Sequence, residues 1–177
     1  MRAMQIAIGA GIVSAALVTL GAAHLQRASP HESVSASIDG ADISITYGRP
    51  YMRGRTIFGG LVPYGRVWCP GADEATTLTT SKPLRIGNLT LDAPQYTLWI
   101  LPTANEWQLV VSKETGQFHT QYRSANDLGR LPLEKRALDT PVEQLTFALK
   151  KNPSGGGAIV LTWEKTEVSA PFTVESR

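Results

Sequence analysis

The feature that most constrains the fold is an alternation of apolar and polar residues with a period of two. It recurs in short runs separated by Gly, Pro, Asn and Asp, and β-branched and aromatic residues dominate these runs. The runs are 33–38, 43–47, 75–80, 83–91, 95–102, 106–112, 144–150, 159–165 and 168–174. This pattern predicts an all-β chain in which residues 29–177 form a single antiparallel β-sandwich domain.

The same alternation predicts which side chains face the core. Along one strand, Tyr96, Leu98 and Ile100 should point inward, and the apolar residues of 145–149 should do the same on another strand. Thr97 falls on the opposite face, so we expect a charged substitution there to be mild.

Turn-forming and helix-breaking residues separate the predicted strands. The segments 88–90 and 153–158 are best explained as turns between neighbouring strands, since no lysine or helix follows the glycines of the second, as a phosphate-binding loop would require. Residues 124–145 have charges at helical spacing, but Pro132 and Pro141 should confine any helix to a short piece. We expect a strand and a loop there, with one turn of helix.

The N-terminus has the features of a targeting segment. Arg2 precedes a run without Asp, Glu, Lys or Arg from 3 to 25, and small residues at 21–23 offer a cleavage site. Residues 1–28 are therefore expected to be a signal peptide, or an anchor if the apolar run is retained, because about 20 apolar residues can cross a bilayer. Either outcome exports the domain, to the periplasm or the medium.

Removing residues 1–28 changes the charge balance. The whole chain has 17 Lys and Arg against 15 Asp and Glu, and the segment contains two of the bases, Arg2 and Arg27, and none of the acids. The exported domain is therefore close to neutral, which argues against a nucleic-acid partner, because such a partner requires a basic face.

Familiar catalytic and metal-binding signatures are missing from the sequence. His31 and His119, the histidines outside residues 1–28, are not spaced as ligands, so we predict no metal and no cofactor. The single cysteine, Cys69, cannot form an internal disulfide, and we interpret it as a buried small hydrophobic residue rather than a nucleophile.

The segment 47–76 concentrates arginine, glycine and aromatic residues in one long predicted loop, and long ordered loops are often functional. Guanidinium groups suit carboxylates and phosphates, so the arginines either hold the loop to the sheet or face an anionic ligand. Tyr47, Phe58 and Trp68 are expected to hold the loop on the core. The candidate binding residues are Arg49, Arg53, Arg55, Arg66, Trp68, Asp73 and Glu74.

The four arginines should divide into two pairs. We expect Arg49 and Arg55 to contact backbone carbonyls or the two acids that end the loop. Arg53 and Arg66, which each follow a local turn, should reach solvent or a ligand. Replacing Arg49 or Glu74 by alanine should therefore destabilise the domain, whereas the other pair should tolerate the change.

Several motifs resemble those of one protein family. They are Ser29-Pro30, Tyr47 to Pro50, Gly54-Arg55 with Ile57 to Gly59, Leu61 to Trp68, Gly71 to Thr76, Ala93 to Tyr96, and Trp107. Over residues 29–172 the chain is similar to the DUF2911 family of exported bacterial proteins, which has no known function. Cys69 stands where that family usually has Arg, and Asp73 stands where it usually has Asn. The resemblance implies export and a compact β domain, and it implies no reaction.

Three classes of function remain open at this point. The first is a binding module that uses the 47–76 loop for a small anionic or glycan-like ligand. The second is an envelope protein whose open sheet face contacts a partner. The third is an enzyme with Asp73 and Glu74 as an acid–base pair. Contact with a membrane is expected only if residues 3–25 are retained as an anchor.

Overall fold

The computed structural model describes residues 29–92 and 94–175, and this part of the chain is almost entirely β. The predicted targeting segment 1–28 and Ala93 lie outside it. The strands are β1 (His31–Ile38), β2 (Ala41–Gly48), β3 (Thr77–Thr80), β4 (Leu84–Ile86), β5 (Leu89–Leu91), β6 (Gln95–Pro102), β7 (Trp107–Ser112), β8 (Asp127–Lys151) and β9 (Gly157–Val174). Within the described ranges, no helix is long and apolar enough to cross a membrane.

All nine strands belong to one antiparallel sheet in the order β1-β2-β3-β6-β7-β8-β9-β4-β5. Its tight turns use residues that tolerate a positive φ. Asp39 and Gly40, with φ of 49° and 77°, close the two-residue turn between β1 and β2, as a type I′ turn requires. Gly87 lies between β4 and β5, and Gly155 and Gly156 lie between β8 and β9. Both predicted turns are present, but they cover residues 87–88 and 152–156, and residues 89–90 and 157–158 belong to β5 and β9.

Strand β8 is longer than the sequence predicts. It pairs with β7 through residues 127–133 and then with β9 through 134–151. At Pro132 the strand is paired only with β7, and Pro141 lies in an irregularity between Ala137 and Val142, so neither proline interrupts a ladder on both sides. The predicted strand is therefore present, but it continues past both prolines where a loop was also expected. The single helical turn is present as a 3₁₀ turn over Ser124–Asn126.

The buried apolar side chains of the sheet pack together in one core, and every strand contributes to it. Residues from distant parts of the sheet meet there. The amide of Phe147 in β8 donates to the hydroxyl of Tyr47 in β2 at 2.9 Å, and the two rings pack edge to face with centroids 4.9 Å apart. Tyr96, Leu98 and Ile100 are buried as predicted. The all-β antiparallel prediction is confirmed, with one continuous sheet where the sequence suggested a sandwich.

A second, smaller apolar cluster lies outside the main core. Its buried members are Cys69, Ala75, Trp99 and Val110. Close to it, Thr97 is fully buried: its hydroxyl donates to the Glu114 carbonyl at 2.7 Å and accepts from the Gln117 side chain at 3.3 Å. Thr97 lies on the opposite face of β6 from Leu98, as predicted, but the residues that follow β7 cover this face and bury it. The reason to expect a mild effect from a charged substitution at Thr97 was therefore wrong.

Candidate functional site

The long loop between β2 and β3 is tied to the sheet at both ends. Near its start, the amide of Leu145 in β8 donates to the carbonyl of Pro50 at 3.0 Å. Near its end, Trp68 and Ile100 of β6 exchange two backbone hydrogen bonds, each of 2.8 Å. These bonds give the loop a defined position across several strands, as a preformed site requires.

An acid that is distant in sequence holds the middle of the loop. Glu164 of β9 has a φ of 52°, and its carboxylate lies 3.4 Å from the amide of Ile57 and 3.3 Å from that of Phe58. The Phe58 ring packs edge to face on Trp107, with centroids 4.5 Å apart. Tyr47 and Phe58 are buried and Trp68 is half-buried against the core, so all three predicted anchors contact it.

Arg49 attaches the start of the loop to β8. Its Nε donates to the carbonyl of Leu145 at 3.1 Å, its Nη2 donates to the Thr146 hydroxyl at 2.9 Å, and its Nη1 forms an ion pair with Glu32. The predicted carbonyl contact is confirmed, and the acid beside Arg49 comes from β1 rather than from the end of the loop.

Arg55 makes its contacts within the loop. Its Nε donates to the carbonyl of Met52 at 2.9 Å and its Nη2 donates to that of Tyr51 at 2.6 Å. This also confirms the predicted carbonyl contacts. The two bonds fix the plane of the guanidinium group while the side chain remains exposed.

The two acids that end the loop have other roles. The Glu74 carboxylate lies 2.6 Å from Nε2 of His31 and is 58% exposed, and an exposed pair of this kind argues for a smaller loss of stability on its removal than the sequence predicts. Asp73 has a φ of 64°, a conformation that Asp and Asn tolerate better than most residues. Its backbone carbonyl accepts from the His119 amide at 2.9 Å and lies 2.8 Å from His119 Nδ1. Since a carbonyl only accepts, Nδ1 carries the proton.

A cleft of about 550 Å³ opens where the loop meets the segment after β7. Among the described lining residues, three are arginines and none is Asp or Glu. The charged and polar lining residues are Ser29, Arg53, Arg55, Arg66, His119 and Thr120, and the aromatic ones are Tyr51, Trp68, Trp99, Tyr122 and Trp163. Of the seven candidate binding residues, Arg53, Arg55, Arg66 and Trp68 line the cleft. The other three, Arg49, Asp73 and Glu74, do not.

The aromatic residues form two supported pairs. Trp68 stacks on Trp163 with centroids 5.9 Å apart and an interplanar angle of 17°, and Trp99 packs on Tyr122 at 5.1 Å. The Tyr122 hydroxyl donates to the Asp127 carboxylate at 2.6 Å. Burial, and then this carboxylate, raise the pKa of Tyr122, so the phenol stays protonated. Ring packing therefore holds the aromatic part of the cleft lining in place.

Cys69 contributes a neutral thiol to the cleft. It is buried, and its sulfur accepts from the Thr76 amide at 3.3 Å. Burial raises the pKa of the thiol to about 11. The interpretation of Cys69 as a buried small hydrophobic residue is confirmed, since a thiol with this pKa is a poor nucleophile near neutral pH.

Several lining residues were missed by the sequence reasoning. Tyr51 lies inside the candidate loop and could have been selected with Trp68 as a second aromatic. His119 and Tyr122 belong to the polar segment after β7, whose only local signal is the presence of rings outside a strand. Trp163 alternates with core residues in β9, so its pattern indicates only burial. No group of three metal-binding side chains lies together in the described ranges.

Comparison with known proteins identifies a family and no characterised relative. No curated protein and no solved structure matches the chain. A family model described as protein of unknown function (DUF2911) matches residues 29–172, which include every strand of the sheet except the last two residues of β9. The chain therefore belongs to the DUF2911 family.

Proposed function

We propose that this protein is an exported binding module that holds a small anionic ligand in the arginine-lined cleft. The observation that carries the proposal is the charge of the lining: Arg53, Arg55 and Arg66 with no carboxylate among the described lining residues. Guanidinium groups attract carboxylates and phosphates and can donate two parallel hydrogen bonds to them. Export rests on the basic and apolar pattern of residues 1–28.

The arginines differ in how they would meet a ligand. Arg55 is pre-oriented by the carbonyls of Tyr51 and Met52, and its Nη1 takes part in neither bond. An oriented guanidinium loses little freedom when it binds a carboxylate or a phosphate, so its contribution to affinity is larger. Arg66 is exposed and can move to meet the ligand.

The walls define the rest of the ligand. Trp68 and Tyr122 are aromatic lining residues, and the volume of about 550 Å³ falls in the range of small-molecule sites. Ring faces bind apolar surfaces such as an aromatic ring or the C–H face of a sugar. We therefore expect a ring-containing molecule with at least one carboxylate or phosphate, such as an acidic sugar.

The geometry gives the enzymatic alternative no support. Asp73 and Glu74 are not among the lining residues, and the Glu74 carboxylate contacts His31. The Cys69 thiol in the lining is neutral at physiological pH. Binding without turnover is thus the function that the cleft supports best.

Titration calorimetry with oligogalacturonate, sugar phosphates and aromatic carboxylates tests the proposal. At least one of these acids should bind, and its uncharged counterpart, such as a neutral oligosaccharide, should not. Arg53→Gln and Arg66→Gln should each raise the dissociation constant by about tenfold or more, since a hydrogen bond to a charged group contributes roughly 1.5–3 kcal/mol. Arg85→Gln is the matched control, because Arg85 is an exposed arginine of β4 outside the cleft lining.

Two results would refute the proposal. One is equal binding of the charged and uncharged probes. The other is an equal effect of the Arg66 and Arg85 variants, which would show that the cleft has no special role.

A further inference from the structure

The large hydrophobic side chains that are exposed in the described ranges belong to the two segments that line the cleft. They are Leu61, Tyr64 and Phe118, which are 47%, 45% and 47% exposed. Leu61 is itself a lining residue, and Tyr64 directly follows the lining residue Pro63. The Phe118 ring contacts the ring of His119, another lining residue, with centroids 4.4 Å apart. We call these three side chains the apolar rim.

Exposed apolar side chains beside a cationic cavity suit an amphiphilic partner. A small soluble anion would contact the arginines and leave the rim exposed to water, whereas an amphiphilic partner would contact both. Leucine and aromatic side chains insert at the boundary between lipid headgroups and acyl chains, and arginines bind the phosphates of anionic lipids.

The path of the chain points to the same face. Ser29 lines the cleft, and the apolar run of residues 3–25 ends only four positions before it. Four residues span at most about 14 Å when fully extended. If the apolar run enters a bilayer, the cleft must therefore lie close to the membrane surface.

We propose that the mouth of the cleft docks on an anionic lipid bilayer, with a lipid phosphate among Arg53, Arg55 and Arg66 and with the apolar rim inserted at the headgroup level. This proposal rests on the proposed function, because it places the anionic group of a phospholipid in the same cleft. It adds the source of the anion and a role for the rim. The apolar run is then one attachment to the membrane, and the cleft is a second that persists after cleavage.

The arginines and the apolar rim should make membrane binding depend on salt and lipid charge in different ways. The arginine contribution should require anionic lipid and should fall at high salt, since surface charges are screened. The rim contribution should survive high salt, because burial of apolar surface does not depend on charge. An acidic protein partner could also contact this face, but it would not require a lipid bilayer.

Vesicle flotation tests the proposal, with protein purified from the producing cell in its natural form. Vesicles of phosphatidylcholine alone are compared with vesicles that contain roughly one-third phosphatidylglycerol, the anionic lipid. Wild-type protein should prefer the anionic vesicles, and Arg66→Gln should weaken this binding about fivefold, while the control Arg85→Gln should leave it nearly unchanged. The rim variant Y64S/F118S, which leaves the cleft-lining Leu61 in place, should weaken it by about tenfold.

Two controls keep the result interpretable. The rim variant must melt like the wild type and bind the soluble acid that calorimetry selects, and F118S alone serves if the double variant does not fold. Wild-type binding by the rim variant would overturn the proposal, as would equal binding to neutral and anionic vesicles. Binding of soluble acids without any binding to vesicles would overturn it too, and would leave the proposed function intact. If soluble acids do not bind but the rim-dependent binding to anionic vesicles remains, the lipid is the ligand and the soluble-ligand function fails.

Discussion

Replacing Arg49 by alanine should destabilise the domain far more than replacing Glu74, although both residues lie in the same loop. The Arg49 side chain is 20% exposed and donates to the carbonyl of Leu145 and the hydroxyl of Thr146. Each hydrogen bond to a charged group contributes roughly 1.5–3 kcal/mol, and partial exposure places the sum near the low end, about 3 kcal/mol. The half-exposed pair with Glu32 adds about 1 kcal/mol or less.

This loss converts to a measurable shift in melting temperature. For a domain of this size, 1 kcal/mol corresponds to about 2–4 °C, so a loss of about 3–4 kcal/mol should make R49A melt about 6–16 °C below the wild type. E74A removes a solvent-exposed contact with His31 and should shift the melting temperature by about 3 °C or less.

Thermal unfolding followed by circular dichroism makes this comparison, with R66A as a matched exposed-arginine control. If R49A and R66A have the same melting temperature, Arg49 does not hold the loop to β8 and the reasoning is refuted. If E74A instead shows the large shift, the contacts that hold the end of the loop have been misassigned.

Three further predictions concern other parts of the fold. T97E should unfold the domain, because it buries a charge and disrupts two hydrogen bonds, whereas T79E, at an exposed position of the neighbouring strand β3, should be mild in the same melting assay. E164A should leave two loop amides without their carboxylate and speed hydrogen exchange at residues 57 and 58 relative to the wild type, and unchanged exchange would contradict this role. Because the folded pKa of Cys69 is raised to about 11 from 9.0, folding protects the protonated thiol, so this contribution to stability is complete below pH 9 and is lost as pH rises toward 11. The loss should reach about 2 kcal/mol near pH 10.5 and be missing in C69A.

The strands and turns could be predicted from the sequence because their signals are local. Alternation places Tyr96, Leu98 and Ile100 on one face without knowledge of the partner strands, and Asp39-Gly40 marks a turn by itself. Thr97 shows the limit of this reasoning. A period of two separates the two faces of a strand, but it does not show that the segment around Glu114 covers the second face.

The cleft could be predicted only in part, for the same physical reason. Arg53, Arg55 and Arg66 are close in sequence, so their clustering is visible. The rings of Tyr122 and Trp163 come from segments that reach the loop only through long-range pairing. The contact between His119 and the Asp73 carbonyl also depends on the fold, since it uses a backbone atom that no side-chain pattern reveals.

The proposed anion site is tested most directly by NMR of the arginine side chains while an anion binds. Nitrogen-15 NMR resolves arginine Nε–H groups, and the titrant is the acid that calorimetry selects. We expect saturable changes in chemical shift at Arg53, Arg55 and Arg66 with one dissociation constant, and no change at Arg85. A titration in which the cleft arginines stay unchanged while the acid binds elsewhere, or in which Arg85 shifts as much as they do, would contradict the central claim that this cleft is the anion-binding site.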